Sequence, residues 1–247
     1  MRRLFIFDVV SQMRYNCRYA NMRGGEGAAG SVMAHLSVVK KLSHLHEEQK
    51  QGRSYVEAGD LKLLRGGITE FTGDHTAGKT SLTLNILSRL TREGEVCAAI
   101  DLNDSFDPHS GAAGGVVLEN LLWVRCGGSV EKAMTSVDYV LQAKGFGMVW
   151  LNLGGVPNKE VSLIPKTYWY RYRTKIRDSR TVLIVTGNRG VVSSAADQAY
   201  FFDTYRAVWR GTGRFKLLGE LQVNLNTRKP FIIKPELRRI EAVYGDE

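Results

Sequence analysis

The sequence predicts an α/β protein: a mostly parallel sheet with helices on both faces and an antiparallel edge. Three observations carry that expectation. Apolar strand-like runs alternate with helix-like stretches between residues 67 and 186, the rhythm of consecutive βαβ units. Residues 73–80, Gly-Asp-His-Thr-Ala-Gly-Lys-Thr, fit the G-x-x-x-x-G-K-[ST] pattern that joins such a strand to such a helix. Finally, 247 residues at 43% apolar composition suffice for one core domain of about 200 residues.

Taken in order, residues 1–32 mix Arg, Asn and Gly, with Arg-Gly-Gly-Glu-Gly-Ala-Ala-Gly at 23–30, and lack sustained periodicity. They read as a flexible leader outside the native folded unit, with Met22 and Met33 as later start candidates. An amphipathic pattern from Met33 makes 33–53 an N-terminal helical segment, and a connector holding Ala58-Gly59-Asp60 opens a core at 54–240. Gly67 to Thr72 alternates as a half-buried strand does, and Lys79 to Arg92 carries Leu82, Ile86, Leu87 and Leu90 at helical spacing. Strands are expected at 96–101, 121–125, 147–152 and 181–186, with helices at 129–144 and about 166–178. Strand-like runs near 199–209 and 215–225 predict the antiparallel edge, and 241–247 form a tail.

The loop pattern is rare enough to matter: with Gly at about 7% of residues, it arises by chance in about one chain of this length in a hundred. Its chemistry explains its spacing. Gly73 and Gly78 let the backbone close around an anion, while successive N–H groups and the helix N-terminus point at phosphates. Asp74, His75, Thr76, Ala77 and Ser81 complete the wrap, Lys79 reaches the β and γ phosphates, and the Thr80 hydroxyl ligates a nucleotide-borne Mg2+. The ligand to expect is therefore a nucleoside triphosphate with magnesium. A Gly-rich turn opening an ordinary helix is the plain alternative, and strand, loop and helix in sequence count against it.

Charge and cysteines narrow the rest. Thirty-four Lys and Arg against 25 Asp and Glu leave +9, a balance that suits a polyanionic partner. Cys17, Cys97 and Cys126 show no C-x-x-C spacing, which fits a reduced cytoplasmic protein. The N-terminal apolar run Leu4 to Phe7 is broken by Asp8 and is too short for a signal or a membrane span.

A hydrolase of this type needs a carboxylate at a neighbouring strand end for magnesium and another group to position water. Met148 to Leu151 is the expected strand, yet it ends in Asn152, which offers only a carbonyl oxygen. The strand 96–100 ends in Asp101 and runs into Asn103, Asp104 and Asp107-Pro108. Asp104 is the candidate catalytic acid there, although Asp and Asn are also the residues of ordinary strand-ending turns.

From Gly67-Ile68-Thr69-Glu70-Phe71-Thr72-Gly73 to Leu82, and again from Ile100-Asp101 to Asp107-Pro108, the chain resembles the core of the RecA recombinase family, over about residues 54–235. Within that family it looks most like the ImuA proteins of bacterial mutagenesis cassettes. The resemblance implies a RecA-like P-loop ATPase fold, ATP and Mg2+ as ligands, and a role in DNA repair or in damage-induced (SOS, translesion) mutagenesis. It implies as partners an ImuB-like polymerase-related protein and an error-prone polymerase, with self-association, weak DNA contact and no membrane. It also places the family's catalytic Glu on Asn103, its strand-ending Asp on Asn152 and its γ-phosphate-sensing Gln at or near Asn188. Asp107 would lie near the adenine, and the stacking Tyr falls on Ser110. Three amides at catalytic positions imply that nucleotide binding outlasts hydrolysis. The alternatives are a DNA-stimulated ATPase in which Asp101 and Asp104 act, and a small-acceptor kinase, for which no Arg-rich lid is readable.

Residues 166–177 interleave Tyr168, Trp169, Tyr170 and Tyr172 with Lys166, Arg171, Arg173, Lys175 and Arg177, a mixture able to stack bases and neutralise phosphates. The competing reading puts Trp169, Tyr172 and Ile176 on the sheet and the cations outside, and periodicity favours it. The loop 187–196 matches the DNA-contacting loop of RecA in position but has only Arg189, and Lys234–Arg239 reads as a solvated cationic end.

Overall fold

The computed structural model describes residues 54–58, 61–210, 217–230 and 236–241. The leader 1–32 and the helical segment 33–53 lie outside the described residues, as do Cys17, Lys234 and 242–247 of the tail.

The predicted βαβ rhythm is present. After a hairpin of β1 (Tyr55–Ala58) and β2 (Leu61–Leu64) come β3 (Ile68–Gly73), α1 (Lys79–Arg92), β4 (Cys97–Asp101) and the short α2 (Pro108–Ala113). Then follow β5 (Leu121–Arg125), α3 (Val130–Ala143), β6 (Met148–Asn152), α4 (Asn158–Ser162), α5 (Lys166–Ile176) and β7 (Val182–Gly187). The long strands β8 (Gln198–Arg210) and β9 (Leu217–Lys229) and the edge strand β10 (Glu236–Glu241) close the chain. One eight-stranded sheet runs β10-β9-β8-β3-β7-β6-β4-β5.

β3 lies between β7 and β8 and is parallel to both, so the antiparallel portion begins only at β9. The run near 199–209 expected at the antiparallel edge is thus a parallel neighbour of the central strand on one side and the start of the antiparallel ribbon on the other. The cationic run ending at Arg239 is correspondingly not a loose end: Glu236–Glu241 pairs along β9. The connector at 55–64 is an antiparallel hairpin, Tyr55 opposite Leu64.

Alternate residues of each central strand feed two cores, as the twofold period of a strand requires. Ile68, Ile100, Leu151 and Val185 meet Met134 and Val137 of α3 and Trp169, Tyr172 and Ile176 of α5. Phe71, Ala99, Trp150 and Ile184 meet Ile86, Leu87 and Leu90 of α1 together with Val56 and Leu63 of the hairpin. All six residues of β3 are buried, against the half-buried strand its alternation predicts, because helices cover both faces of a parallel sheet. The aromatic residues of α5 do face the sheet: Trp169 and Tyr172 pack edge to face at 6.0 Å, and the Tyr172 hydroxyl donates to the Met134 carbonyl at 2.5 Å.

Parallel register aligns the strand ends. Asp101 sits beside Asn152, Asn152 beside Thr186, and Gly187 beside Thr72. The loop 73–80, Asp101, Asn152 and Asn188 are therefore delivered to one edge, where open α/β sheets bind their ligands.

Candidate functional site

The loop begins where β3 ends. Gly73 has φ +140° and lies so close to the Phe202 carbonyl that a Cβ would collide with it. Gly78, at φ +82°, is the N-cap of α1 and supplies no side-chain acceptor, so the first-turn N–H groups of this helix are left for an incoming anion. Within the loop the Ala77 N–H donates to the Asp74 carbonyl at 3.1 Å. Arg89 and Arg92 in the last turn of α1 complement its dipole from the other end.

Lys79 is buried and folds back over the loop, its Nζ donating to the carbonyls of Gly73 (2.5 Å) and Asp74. Burial pushes its ammonium down to about 8, partly offset by the Asp74 carboxylate. Asp74, His75, Thr76, Thr80 and Ser81 are exposed, so the rim of the loop is open to a phosphate chain and its metal. Glycine conformation, donor set and a buried cation together fit a triphosphate, with Thr80 free to ligate its magnesium.

The acids of the 101–107 segment are all occupied. Asp101, buried, accepts from the Phe106 N–H at 2.7 Å, the Ser105 hydroxyl at 3.2 Å and the Asn152 amide at 3.4 Å. Asp104 adopts a left-handed φ of +55° and binds Arg125 at 2.8 Å. Asn103 turns toward the Gly154 carbonyl at 3.2 Å. Asp107 is the N-cap of α2, accepting from the N–H groups of His109 and Ser110 and from the Ser110 hydroxyl. Those bonds hold its carboxyl below the usual carboxylate range, the Ser110 hydroxyl most of all.

Asn152 is bound on both sides. Its amide nitrogen donates to Ser105 Oγ at 2.8 Å, and its oxygen accepts from the Gly154 N–H (3.0 Å) and the Thr186 hydroxyl (3.1 Å). Thr186 in turn accepts from the Trp150 indole at 2.9 Å. Asn152 thus stitches β4, β6 and β7 together. Asn188, on the loop after β7, reaches the loop 73–80 directly: its amide nitrogen lies 2.9 Å from His75 Nε2, and its buried Oδ1 has no partner among the described residues.

Sequence reasoning passed over Glu70, although an acid in the middle of a central apolar strand was the signal. It is 5% exposed, and its Oε1 accepts from the N–H groups of Val191 (2.6 Å) and Val192 (2.8 Å). Desolvation raises its pKa more than those two bonds and Arg228 lower it. The cations of α5 are largely spoken for: Arg171 and Lys175 share Asp138 at 2.6 and 2.7 Å, and Arg173 meets Asp197 at 3.2 Å.

Residues 56–162 match the RecA N-terminal domain family. Protein RecA of Synechococcus sp. (strain CC9902) is 34% identical over 85 residues, 34% of this chain and 22% of that protein. Protein RecA of Ectopseudomonas oleovorans is 31% identical over 104 residues, 42% of this chain and 28% of that protein. The chain spans about a quarter of the length of each of these relatives, and the family match over residues 56–162 contains the loop, Asp101 and Asn152. Over residues 56–162, which hold the phosphate-binding loop and the strand ends beside it, the chain is similar to the RecA N-terminal domain.

Proposed function

We propose that the protein binds ATP with Mg2+ at residues 73–81 and hydrolyses it weakly or not at all, serving as a RecA-like accessory in bacterial DNA repair or damage-induced mutagenesis. One observation carries the reading: the loop retains every group that holds phosphate, whereas the groups that would activate water are engaged elsewhere. Asp104 is drawn to Arg125, Asn103 to Gly154, and Asn152 into the strand-end network.

In this reading Lys79 leaves the Gly73 and Asp74 carbonyls for the β and γ phosphates, and the loop N–H groups and the α1 N-terminus bind the rest of the chain. Thr80 holds the magnesium, which neutralises phosphate charge. Asn188 turns its free Oδ1 toward the γ-phosphate edge. The protein acts through partners, an ImuB-like polymerase-related protein and an error-prone polymerase, with weak DNA contact and self-association. These follow from the sequence resemblance, as does a cytoplasmic location.

A DNA-stimulated ATPase is the second reading, favoured by Asp101 standing beside Asn152 at the strand ends. Binding of a fluorescent ATP analogue and steady-state phosphate release decide between them. The first reading expects magnesium-dependent binding that Lys79→Ala abolishes, with release at background with or without single-stranded DNA. Release that DNA accelerates and Lys79→Ala removes establishes the second.

A further inference from the structure

Three consecutive residues leave β4 at the edge where the strand ends gather, and their side chains part company. Asn103 donates to the Gly154 carbonyl at 3.2 Å. The Ser105 hydroxyl donates to Asp101 at 3.2 Å and accepts from the Asn152 amide at 2.8 Å. Both are thus turned toward the strand ends. Asp104, between them, is drawn the other way, to the guanidinium of Arg125 at the end of β5, 2.8 Å from it. The segment itself is pinned on either side: the Leu102 N–H donates to the Asn152 carbonyl at 3.3 Å, and the Phe106 N–H to Asp101 at 2.7 Å. A carboxylate freed from Arg125 therefore stays tethered at this edge, flanked by two residues that already face it.

The contact is built to open. Asp104 is held at φ +55°, a left-handed value that an aspartate tolerates but does not prefer, so part of what the ion pair gains is lost in the backbone. The pair is also wet, the Arg125 side chain 50% and the Asp104 side chain 31% exposed, and exposed ion pairs contribute little. Arg125 has a second support, its guanidinium lying 5.3 Å from the centre of the Trp123 ring, and it feels a longer-range attraction to Asp101. Parting the two strands neither charge in a dry interior.

We propose that Arg125 is an autoinhibitory latch, holding the Asp104 carboxylate away from the terminal phosphate of a nucleotide in the 73–81 loop, and that opening it switches on hydrolysis. The inference rests on the nucleotide reading above. Once released, Asp104 accepts a proton from a water whose oxygen forms a bond to the γ-phosphorus; the bond from that phosphorus to the β–γ bridging oxygen breaks, and its electron pair leaves with the diphosphate. The proton passes from Asp104 to the freed phosphate. Asn103 and Asn152 cannot stand in, because an amide offers no basic oxygen to take the proton.

The test is steady-state phosphate release by the full chain with ATP and Mg2+, read as kcat and KM beside the affinity for a fluorescent ATP analogue. Arg125→Gln should raise kcat at least about tenfold, a modest share of what a positioned base supplies, with analogue affinity unchanged. Arg125→Lys keeps a cation for Asp104 and should stay near the wild-type rate. Adding Asp104→Asn to Arg125→Gln should return kcat to the wild-type level, again without moving affinity, and the retained affinity shows that each variant is folded. An Arg125→Gln protein that binds the analogue but releases phosphate no faster than wild type overturns the latch. Acceleration that survives Asp104→Asn overturns it too. A wild type that does not bind the analogue overturns the nucleotide reading itself, and the latch falls with it.

Discussion

Lys79 carries opposing demands. A charged amine held in a dry loop costs stability, and the direction follows from its displacement: the folded state prefers the neutral amine, so the penalty is full below about 8 and fades as pH rises toward 10.5. Lys79→Met should melt above the wild type at pH 7, with the difference closing between pH 8 and 10.5; a thermal melt series reads it. Triphosphate binding wants the charged form, so affinity for an ATP analogue should fall above pH 8, by up to about tenfold per pH unit while one proton accompanies binding. Asn152 makes a complementary case. Replacing it by Asp places a second carboxylate within 3.4 Å of Asp101 and turns a donor toward Ser105 into an acceptor. Asn152→Asp should destabilise the metal-free protein by about 1–3 kcal/mol, and Mg2+ with nucleotide should recover part of the loss. Recovery equal to the wild-type ligand response would show that the new acid does not meet the metal.

At the level of elements, the loop after β7 is fastened at two points. Asn188 ties one end to His75, and Glu70 ties the other to the middle of β3. Because burial raises the Glu70 pKa, its charged form is penalised in the fold: the penalty is absent below 4.5 and grows as pH rises through the folded value. Glu70→Gln keeps an oxygen for both N–H groups and sheds the charge, so it should melt at or above the wild type at pH 7, the gap shrinking toward pH 4.5. Glu70→Ala orphans two N–H groups and should cost about 1–3 kcal/mol by chemical denaturation. The element order was legible in the sequence wherever the signal was local: G-x-x-x-x-G-K-T lies within eight residues, and α1, α3 and α5 declare themselves by spacing. Short elements were not. α2 hides in what reads as a turn because Asp107 caps it, and β1–β2 fall below the length at which alternation is visible. Nor could the fates of Asn103 and Asp104 be read. They depend on Gly154, 51 residues on, and on Arg125, 21 residues on, and no local pattern records such partners.

Over the whole molecule, nucleotide occupancy should register as stability. A ligand at a hundred times its dissociation constant adds about 2.7 kcal/mol. For a domain of this size that raises the melting temperature by about 5–10 °C. Lys79→Ala should show no such shift. Every residue of β3 is buried, and its two neighbours are β7 and β8. Both come more than a hundred residues later in the chain, at 182 and 198, so the strand that ends in the nucleotide loop has no ladder until they arrive. At about 5–20 residues per second of synthesis, β3 waits on the order of ten seconds outside the ribosome as an unpaired apolar segment. The phosphate-binding loop is in this sense one of the last parts of the protein to exist, and the newborn chain needs shelter for β3 before that loop can take its shape.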